Sequence, residues 1–486
     1  MKSSRKSFFY VFLLLGISLI TAGIIFHPAF VAKYVKGASD LSPEATIKVI
    51  HYQLYAITSG FIILLISIFY YKKSIFKYII FPLLIMYLFL AHAFYLNEIY
   101  PDNVFLKISG LKKTWNVLLG KEFVLRDYQP KSTLIVENKS LKKAKFPVID
   151  VHFHLRSLKN INADELVRAM DACGIWKIVN LDGRPGDFEI YNRDFKGKYP
   201  DRFIMFAQLK LWEYNKPDFV INQLNTLDNM VAMGAQGLKV IKNLGLEIRD
   251  QTGNLVPIDA PRFDPIWARA GELKIPVLMH LTEPTPFFYP VDRFNERYEE
   301  LREFPSWSYF GPKFPKKEIL SLQRERLLEK HPKTVFIFAH MGDNPEDLSY
   351  IGYLLDKYSN LYVDISSRLP ELGRQPFTAR KFFIKYQDRI LFGSDGGYGL
   401  DPKGSWPVER YFRTYFEFLE TSNEYFEYPL FGIQKQGRWY IYGIDLPDSV
   451  LEKLYYKNAE KILYQQSRKS SVDKYQNQGV LASRTE

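Results

Sequence analysis

Cysteine is all but missing from this chain. Cys173 stands alone, so neither an internal disulfide nor a thiolate metal cluster can form, and cysteine usage says nothing of compartment. Long runs of one charge sign are missing too. The 65 lysines and arginines are interleaved with 53 acidic residues, so the net charge of +12 does not mark a nucleic-acid surface, and no nucleic-acid partner is expected. An apolar share of 47% with 24% charged residues excludes disorder, collagen-like repeats and coiled coil as the main architecture. At 486 residues the chain exceeds what one hydrophobic core organises, about 250 to 300. One large domain plus something else is expected.

The something else sits at the amino terminus. Residues 8–26 (FFYVFLLLGISLITAGIIF) carry no charge and approach the roughly 20 residues that cross a bilayer; apolar runs at 53–71 and 78–96 follow. No small-x-small cleavage site precedes His27, so a retained membrane region of three α-helices over 1–96 is expected rather than a signal peptide. A buried hydrophobic hairpin is the alternative. Lys2, Arg5 and Lys6, with Lys72, Lys73 and Lys77, mark the cytoplasmic side, while Asp40, Glu44, Glu98 and Asp102 fall opposite. The chain is thus expected to be an integral membrane protein with an extracytoplasmic soluble domain.

Residues 97–145 form a linker in this reading, 146–465 the soluble domain, and 466–486 a polar tail that frays. From Val148 onward eight short apolar runs recur, at 148–154, 176–181, 203–208, 236–241, 276–281, 335–340, 361–366 and 390–395. Amphipathic stretches separate them. Asn162 with Glu165 three residues on, and Gly174 beyond, cap one such helix at both ends. Eight buried strands alternating with helices over about 250 residues predict an α/β fold, a (β/α)8 TIM barrel. No glycine-rich phosphate turn follows the first strand, which weighs against a doubly wound sheet. A helix over 446–463 closes the barrel. The loop from Thr282 to Pro315, rich in aromatics and proline, is longer than a crossover needs and reads as a lid, a specificity wall or a docking insertion.

His152 and His154 lie two apart on the first strand, so both point to one face together with Asp150. His280, His340 and Asp395 close the fifth, sixth and eighth strands, at the carboxyl ends where barrels build their sites. Imidazole nitrogen and carboxylate oxygen suit a borderline divalent ion, and three histidines with one aspartate leave a position for water, whose pKa the ion lowers toward 7. Either Asp395 or His340 then moves the proton. Lys239 lies mid-strand and points into the lumen, either paired with a carboxylate such as Asp395 or, once carbamylated, bridging a second ion. Arg368, Arg374 and Arg380 follow the seventh strand; their forks suit a substrate carboxylate, or internal pairing with Glu371 and Asp388.

VIDVHFH, GLKV, VLMH, FIFAH and ILFGSD, in this order, resemble the amidohydrolase superfamily, and within it amidohydrolase family 2, which includes aminocarboxymuconate-semialdehyde decarboxylase. The resemblance covers roughly Phe146 to Leu463. It implies a metal held by His152, His154, His280 and Asp395, with His340 as the acid–base residue. Binuclear members imply instead a carbamylated Lys239 bridging two ions; one ion is expected here, zinc before manganese or iron(II). The membrane region and the long loop around Glu283 and Arg297 depart from the compact decarboxylases, and these two residues join Arg368 and Arg374 as candidate substrate contacts. The expected function is a membrane-anchored, metal-dependent hydrolase that cleaves a C–N or C–O bond of a small molecule. Non-oxidative decarboxylation of a small acid, its carboxylate held by Arg368 or Arg374, is the runner-up. A non-catalytic membrane scaffold comes third.

Overall fold

A computed structural model describes residue 60 and residues 131–157, 162–397, 408–428 and 436–464. Apart from residue 60, the three apolar runs expected to span a membrane lie outside these residues, as do most of the linker and the polar tail. Among the described residues no helix is long and apolar enough to cross a membrane. The chain divides into two compact units, Met1–Thr133 and Leu134–Glu486, and the barrel lies in the second. That unit begins inside the stretch read as linker: Ala144 N–H donates to Cys173 O at 2.9 Å and Lys145 N–H to Glu420 Oε1 at 2.9 Å. These bonds tie its last residues to the barrel.

Eight strands run parallel in sequential order. They are β1 (Val148–Phe153), β2 (Ile175–Gly183), β3 (Phe203–Gln208), β4 (Gly237–Val240), β5 (Val277–Met279), β6 (Phe336–Phe338), β7 (Leu361–Asp364) and β8 (Ile390–Leu391). All their residues are buried, as a parallel sheet covered on both faces requires, and this is why they read as continuous apolar runs. Closure is made by backbone bonds across the seam: Val151 N–H to Phe392 O at 3.0 Å, Asp395 N–H to His152 O at 2.8 Å and His154 N–H to Gly396 O at 2.8 Å. The last two fix β1 and the chain after β8 side by side where His152, His154 and Asp395 stand.

Helices fill the crossovers: α1 (Ala163–Cys173), α2 (Asp187–Tyr191), α3 (Phe219–Ala232), α4 (Asp264–Glu272), α5 (Tyr298–Glu303), α6 (Lys317–Lys330), α7 (Leu348–Lys357), α8 (Pro376–Lys385) and α9 (Val408–Glu420). α1 begins in the expected capping box, Asn162 Oδ1 accepting Glu165 N–H while Glu165 accepts Asn162 N–H, and ends at Gly174 with φ +80°. The segment 446–463 forms two short helices, α10 (Asp448–Glu452) and α11 (Asn458–Leu463), joined by a π turn. It does close the barrel: Phe392 N–H donates to Leu454 O at 3.0 Å.

Strand parity sends Phe206 of β3 and its partner Gly237 of β4 into the lumen together. The phenyl ring occupies the place a side chain at 237 would need, since a Cβ there would lie 2.3 Å from the ring. Gly237→Ala is therefore expected to destabilise the barrel by about 1 to 3 kcal/mol through overpacking. Urea unfolding checks this, and an unchanged midpoint would mean that Phe206 yields without cost.

Candidate metal centre

Each histidine of the site is aimed by the bond its other nitrogen makes. His152 Nδ1 lies 2.9 Å from Asp364 Oδ2, and His154 Nδ1 2.8 Å from Asp182 Oδ1. An ionised carboxylate only accepts, so each Nδ1 carries the proton and each Nε2 presents a lone pair. His340 Nδ1 lies 2.9 Å from the Ser366 carbonyl, which fixes the same tautomer. Such outer bonds are what orient histidine ligands in metal sites.

Two of these Nε2 atoms, of His152 and His154, converge on Asp395. Its Oδ1 lies 3.4 Å from His152 Nε2 and 3.3 Å from His154 Nε2, while Oδ2 accepts the Ser367 hydroxyl at 2.8 Å. Two acceptors at that separation repel unless a proton or a cation lies between them. His152, His340 and Asp395 offer ligand atoms all within 4.8 Å of one another. His280, His340 and Asp343 form a second such group, sharing His340 with the first. His280 Nδ1 lies 3.3 Å from His340 Nε2, and His280 Nε2 faces Glu283 Oε1 at 3.6 Å and Asp343 Oδ1 at 3.8 Å. Neither His280 Nε2 nor Asp343 Oδ1 has a hydrogen-bond partner among the described residues. Donor chemistry and orphaned atoms both fit a divalent cation. The expected set of His152, His154, His280 and Asp395 thus divides, with His280 reaching the others through His340.

Lys239 points into the lumen, its Nζ 3.2 Å from His152 Nε2. Burial lowers its pKa to about 8, against the pull of Asp395 and Asp364, so its amine is neutral in appreciable part near that pH. Burial, then Lys239, lowers His152 to about 4. Burial, His280 and Arg368 hold His340 well below the usual imidazole range. Burial opposes ionisation of Asp395, but His152 and the bond to His154 outweigh it and hold the carboxyl well below its usual range.

The loops do not continue their strands. His340 follows β6 with φ +58°, and Met341, Gly342 and Asp343 follow with φ of +55°, +64° and +52°, a complete left-handed turn. Three of these residues carry a Cβ, at a cost of about 1 to 2 kcal/mol each. Asp395 and Ser367 are also left-handed, with φ of +61° and +54°. Asp182, Asp343, Asp364 and Ser367 belong to the site although sequence reasoning gave none of them a role. The signal available was an acidic residue at or just beyond a strand end.

Of the four candidate substrate contacts, Glu283, Arg297 and Arg374 have strong partners within the chain. Arg297 pairs with Glu371 and, at 3.1 Å, with Glu300; Arg374 grips Glu296 bidentately at 3.0 and 3.1 Å. Both guanidinium groups lie against Trp439, at 5.6 and 4.0 Å from ring centroids, and Arg438 grips Glu299 at 3.0 and 2.7 Å. The Arg297–Glu371 and Arg374–Glu296 pairs clamp the long β5–β6 loop onto the loop after β7, and Arg438–Glu299 ties it to the segment after α9. Glu371 serves Arg297 in this way, while Asp388 pairs with Lys453 at 2.7 Å. Arg380 donates to Ile444 O at 2.6 Å. Glu283 binds Lys242 at 2.6 Å and lies 3.8 Å from Arg368.

A family model described as amidohydrolase matches residues 149–464. The chain belongs to the amidohydrolase family. No curated protein matches this amidohydrolase. Solved structures resemble it at a distance. 2,6-Dihydroxybenzoate decarboxylase complexed with 2,6-dihydroxybenzoate is 18% identical, over 65% of this chain and 99% of that one, with a TM-score of 0.39. 4-Oxalomesaconate hydratase from Rhodopseudomonas palustris is 16% identical, over 68% and 98%, at 0.39. Dihydroorotase from Campylobacter jejuni is 15% identical, over 69% and 88%, at 0.38. Likeness of this degree assigns no activity to the amidohydrolase.

His152 supplies a pH test. Its ordinary pKa of 6.5 falls to about 4 on folding, so between those values the unfolded chain binds the extra proton. The contribution of this group is complete above pH 6.5 and drains as pH falls toward 4, by about 3 kcal/mol at most. In metal-free protein His152→Gln is expected to flatten unfolding free energy against pH across that window. Equal slopes for both proteins would show that His152 does not titrate as the fold requires.

Proposed function

We propose that this amidohydrolase is a metal-dependent hydrolase that cleaves a C–N or C–O bond of a small molecule, of the amide, ester or lactone type. The observation that carries the reading is the approach of His152 Nε2 and His154 Nε2 to one oxygen of Asp395, at 3.4 and 3.3 Å. Of the expected set, His152, His154 and Asp395 would hold one ion, zinc before manganese or iron(II), with His280 joined to them through His340 at 3.3 Å. When bound, such an ion lowers the pKa of water toward 7 and polarises a carbonyl. The chain supplies the rest. His340, neutral and aimed by Ser366, takes a proton at Nε2 and returns it to the leaving group. Asp395 keeps one oxygen toward the histidines while Ser367 holds the other, so its carboxylate cannot turn away. In a two-ion variant of this reading, Lys239 as a carbamate would supply the bridge; its lowered pKa favours the neutral amine that reacts with carbon dioxide.

One observation favours a second reading, decarboxylation of a small acid. Arg368 is buried, its Nη1 donates to Ser367 O at 2.9 Å, and its Nε has no hydrogen-bond partner among the described residues. That edge suits a planar carboxylate. Heavy-oxygen water separates the two: hydrolysis places the label in an organic product, whereas decarboxylation releases carbon dioxide and leaves the organic product unlabelled. Removing metal is expected to abolish turnover and zinc to restore it, while His340→Ala costs about 10²- to 10⁴-fold in kcat. Full activity after complete chelation would end both readings.

The proposed protein is anchored by its apolar segments at 8–26, 53–71 and 78–96, with the barrel outside the cytoplasm. The full chain is expected to stay with membranes through alkaline carbonate extraction. Its appearance in the supernatant would show that these segments are buried in protein instead.

A further inference from the structure

An arginine in the helix layer has no task in the site as described so far. Arg324 lies on α6, with about 1% of its surface exposed, and its nearest carboxylate oxygen among the described residues, Asp343 Oδ2, is 3.9 Å away. Its Nη1 instead donates to the carbonyl of Gly342 at 2.6 Å, its Nη2 reaches Ser321 Oγ at 3.4 Å, and the guanidinium lies 5.4 Å from the Phe338 ring centroid. Gly342 is the third residue of the left-handed turn His340–Asp343. Burying a guanidinium for a carbonyl, with no close ion pair, is costly. The turn it holds is strained, and strained backbone persists only where its surroundings over-determine it.

The other restraints on the turn act at its two ends. His340 N–H donates to Asp364 Oδ1 at 2.9 Å, and Asp343 Oδ2 accepts Leu281 N–H at 3.3 Å and Thr282 N–H at 3.2 Å. Between them, Arg324 takes up the carbonyl of Gly342, while Ile351 of α7 leaves no room for a Cβ at that residue, which would come within 2.9 Å. Because the turn is left-handed, His340 and Asp343 both face His280, with separations of 3.3 Å and 3.8 Å. An extended continuation of β6 would put these two side chains on opposite faces.

We propose that Arg324 is a positioning residue: through the Gly342 carbonyl it sets the left-handed turn and hence the spacing of His280, His340 and Asp343. The importance of that spacing for function rests on the metal-dependent reading above; the geometry itself does not.

The test uses the full chain with Arg324→Lys, which keeps the charge and loses the fork, and Arg324→Ala with and without added guanidinium. The first readout needs no metal. The imidazole nitrogen NMR of metal-free protein reports the His340 tautomer, assigned by His340→Gln, and the signal of the Nδ1–H bonded to Ser366 is expected to shift or vanish in both variants. The second is cobalt(II) bound in place of the native ion. Its affinity is expected to weaken about 10- to 100-fold, with altered visible absorption, as when outer partners of metal ligands are removed. Guanidinium is expected to restore both signals in Arg324→Ala.

Variants that lose thermal stability but keep the wild-type His340 signal and cobalt spectrum would overturn the proposal, since Arg324 would then only support the fold. Should Arg324→Ala fail to fold without guanidinium, Arg324→Lys decides: a shifted His340 signal in the folded variant would support the proposal, and a wild-type signal would overturn it. Wild-type protein that binds no cobalt would defeat the metal-dependent reading alone, and the His340 signal would still decide the role of Arg324.

Discussion

The carboxylate of Asp364 is the constraint on which the site turns. It stands at the end of β7, fully buried, and its two oxygens are shared between groups from three parts of the barrel. Oδ2 takes the proton side of His152 at 2.9 Å; Oδ1 accepts His340 N–H at 2.9 Å, Ser366 N–H at 3.0 Å and the Ser366 hydroxyl at 2.5 Å. Burial alone would push such a group toward neutrality, but His152 and His340 outweigh it and hold the carboxyl well below its usual range. A neutral acid could not fix the tautomer of His152. It could not accept four donors either. Asp364 thus decides which nitrogen of His152 faces the lumen and where the left-handed turn begins.

The barrel supplies the frame in which one side chain can do this. Parallel strands end together, and closure brings the first strand back beside the eighth, so groups 243 residues apart, His152 and Asp395, are joined by a backbone bond of 2.8 Å. The clamp over the long loop is a separate system. Its Arg–Glu pairs are partly exposed at Glu296 and Glu299 and fully buried at Glu371, so their contribution differs by position. The buried member, Arg297 with Glu371 and Glu300, is the one whose loss would leave an uncompensated charge.

The strands were legible because burial on both faces leaves an uninterrupted apolar run, and the pair His152 and His154 because strand parity is strictly two. The ends of those strands were less so. Period two would place Asp343 opposite His340; the left-handed turn puts both toward His280, and nothing in HMGD except its glycine hints at that. Asp182 was hidden for another reason: an aspartate at a strand end means little until His154 is known to lie 2.8 Å away. Arg297 and Arg374 looked like substrate contacts because arginine suits a carboxylate, and the carboxylates they meet belong to the chain, at positions 371 and 296. Pairing over such separations is set by loop conformation, which hydrophobic periodicity does not encode. Arg368, with no strong partner among the described residues, is the one of these arginines for which the fork argument still stands.

Charge balance ties these parts together. Around the converging nitrogens stand three carboxylates held ionised, Asp182, Asp364 and Asp395, against one ammonium, Lys239, which leaves two negative charges in excess. A buried excess of that size is unfavourable by far more than any single hydrogen bond restores. Two kinds of particle can offset it. One is the proton: burial opposes charging His154, yet its bonds to Asp182 and Asp395 prevail and raise its pKa. The other is a divalent cation, which cancels the excess in full and needs the same Nε2 lone pairs in their unprotonated form. Proton and metal therefore compete for one set of atoms, and affinity for the ion must fall as pH drops. The low pKa of His152, about 4, tilts that competition toward the cation at neutral pH. The bonds that aim the imidazoles and the burial that keeps them uncharged act in the same direction.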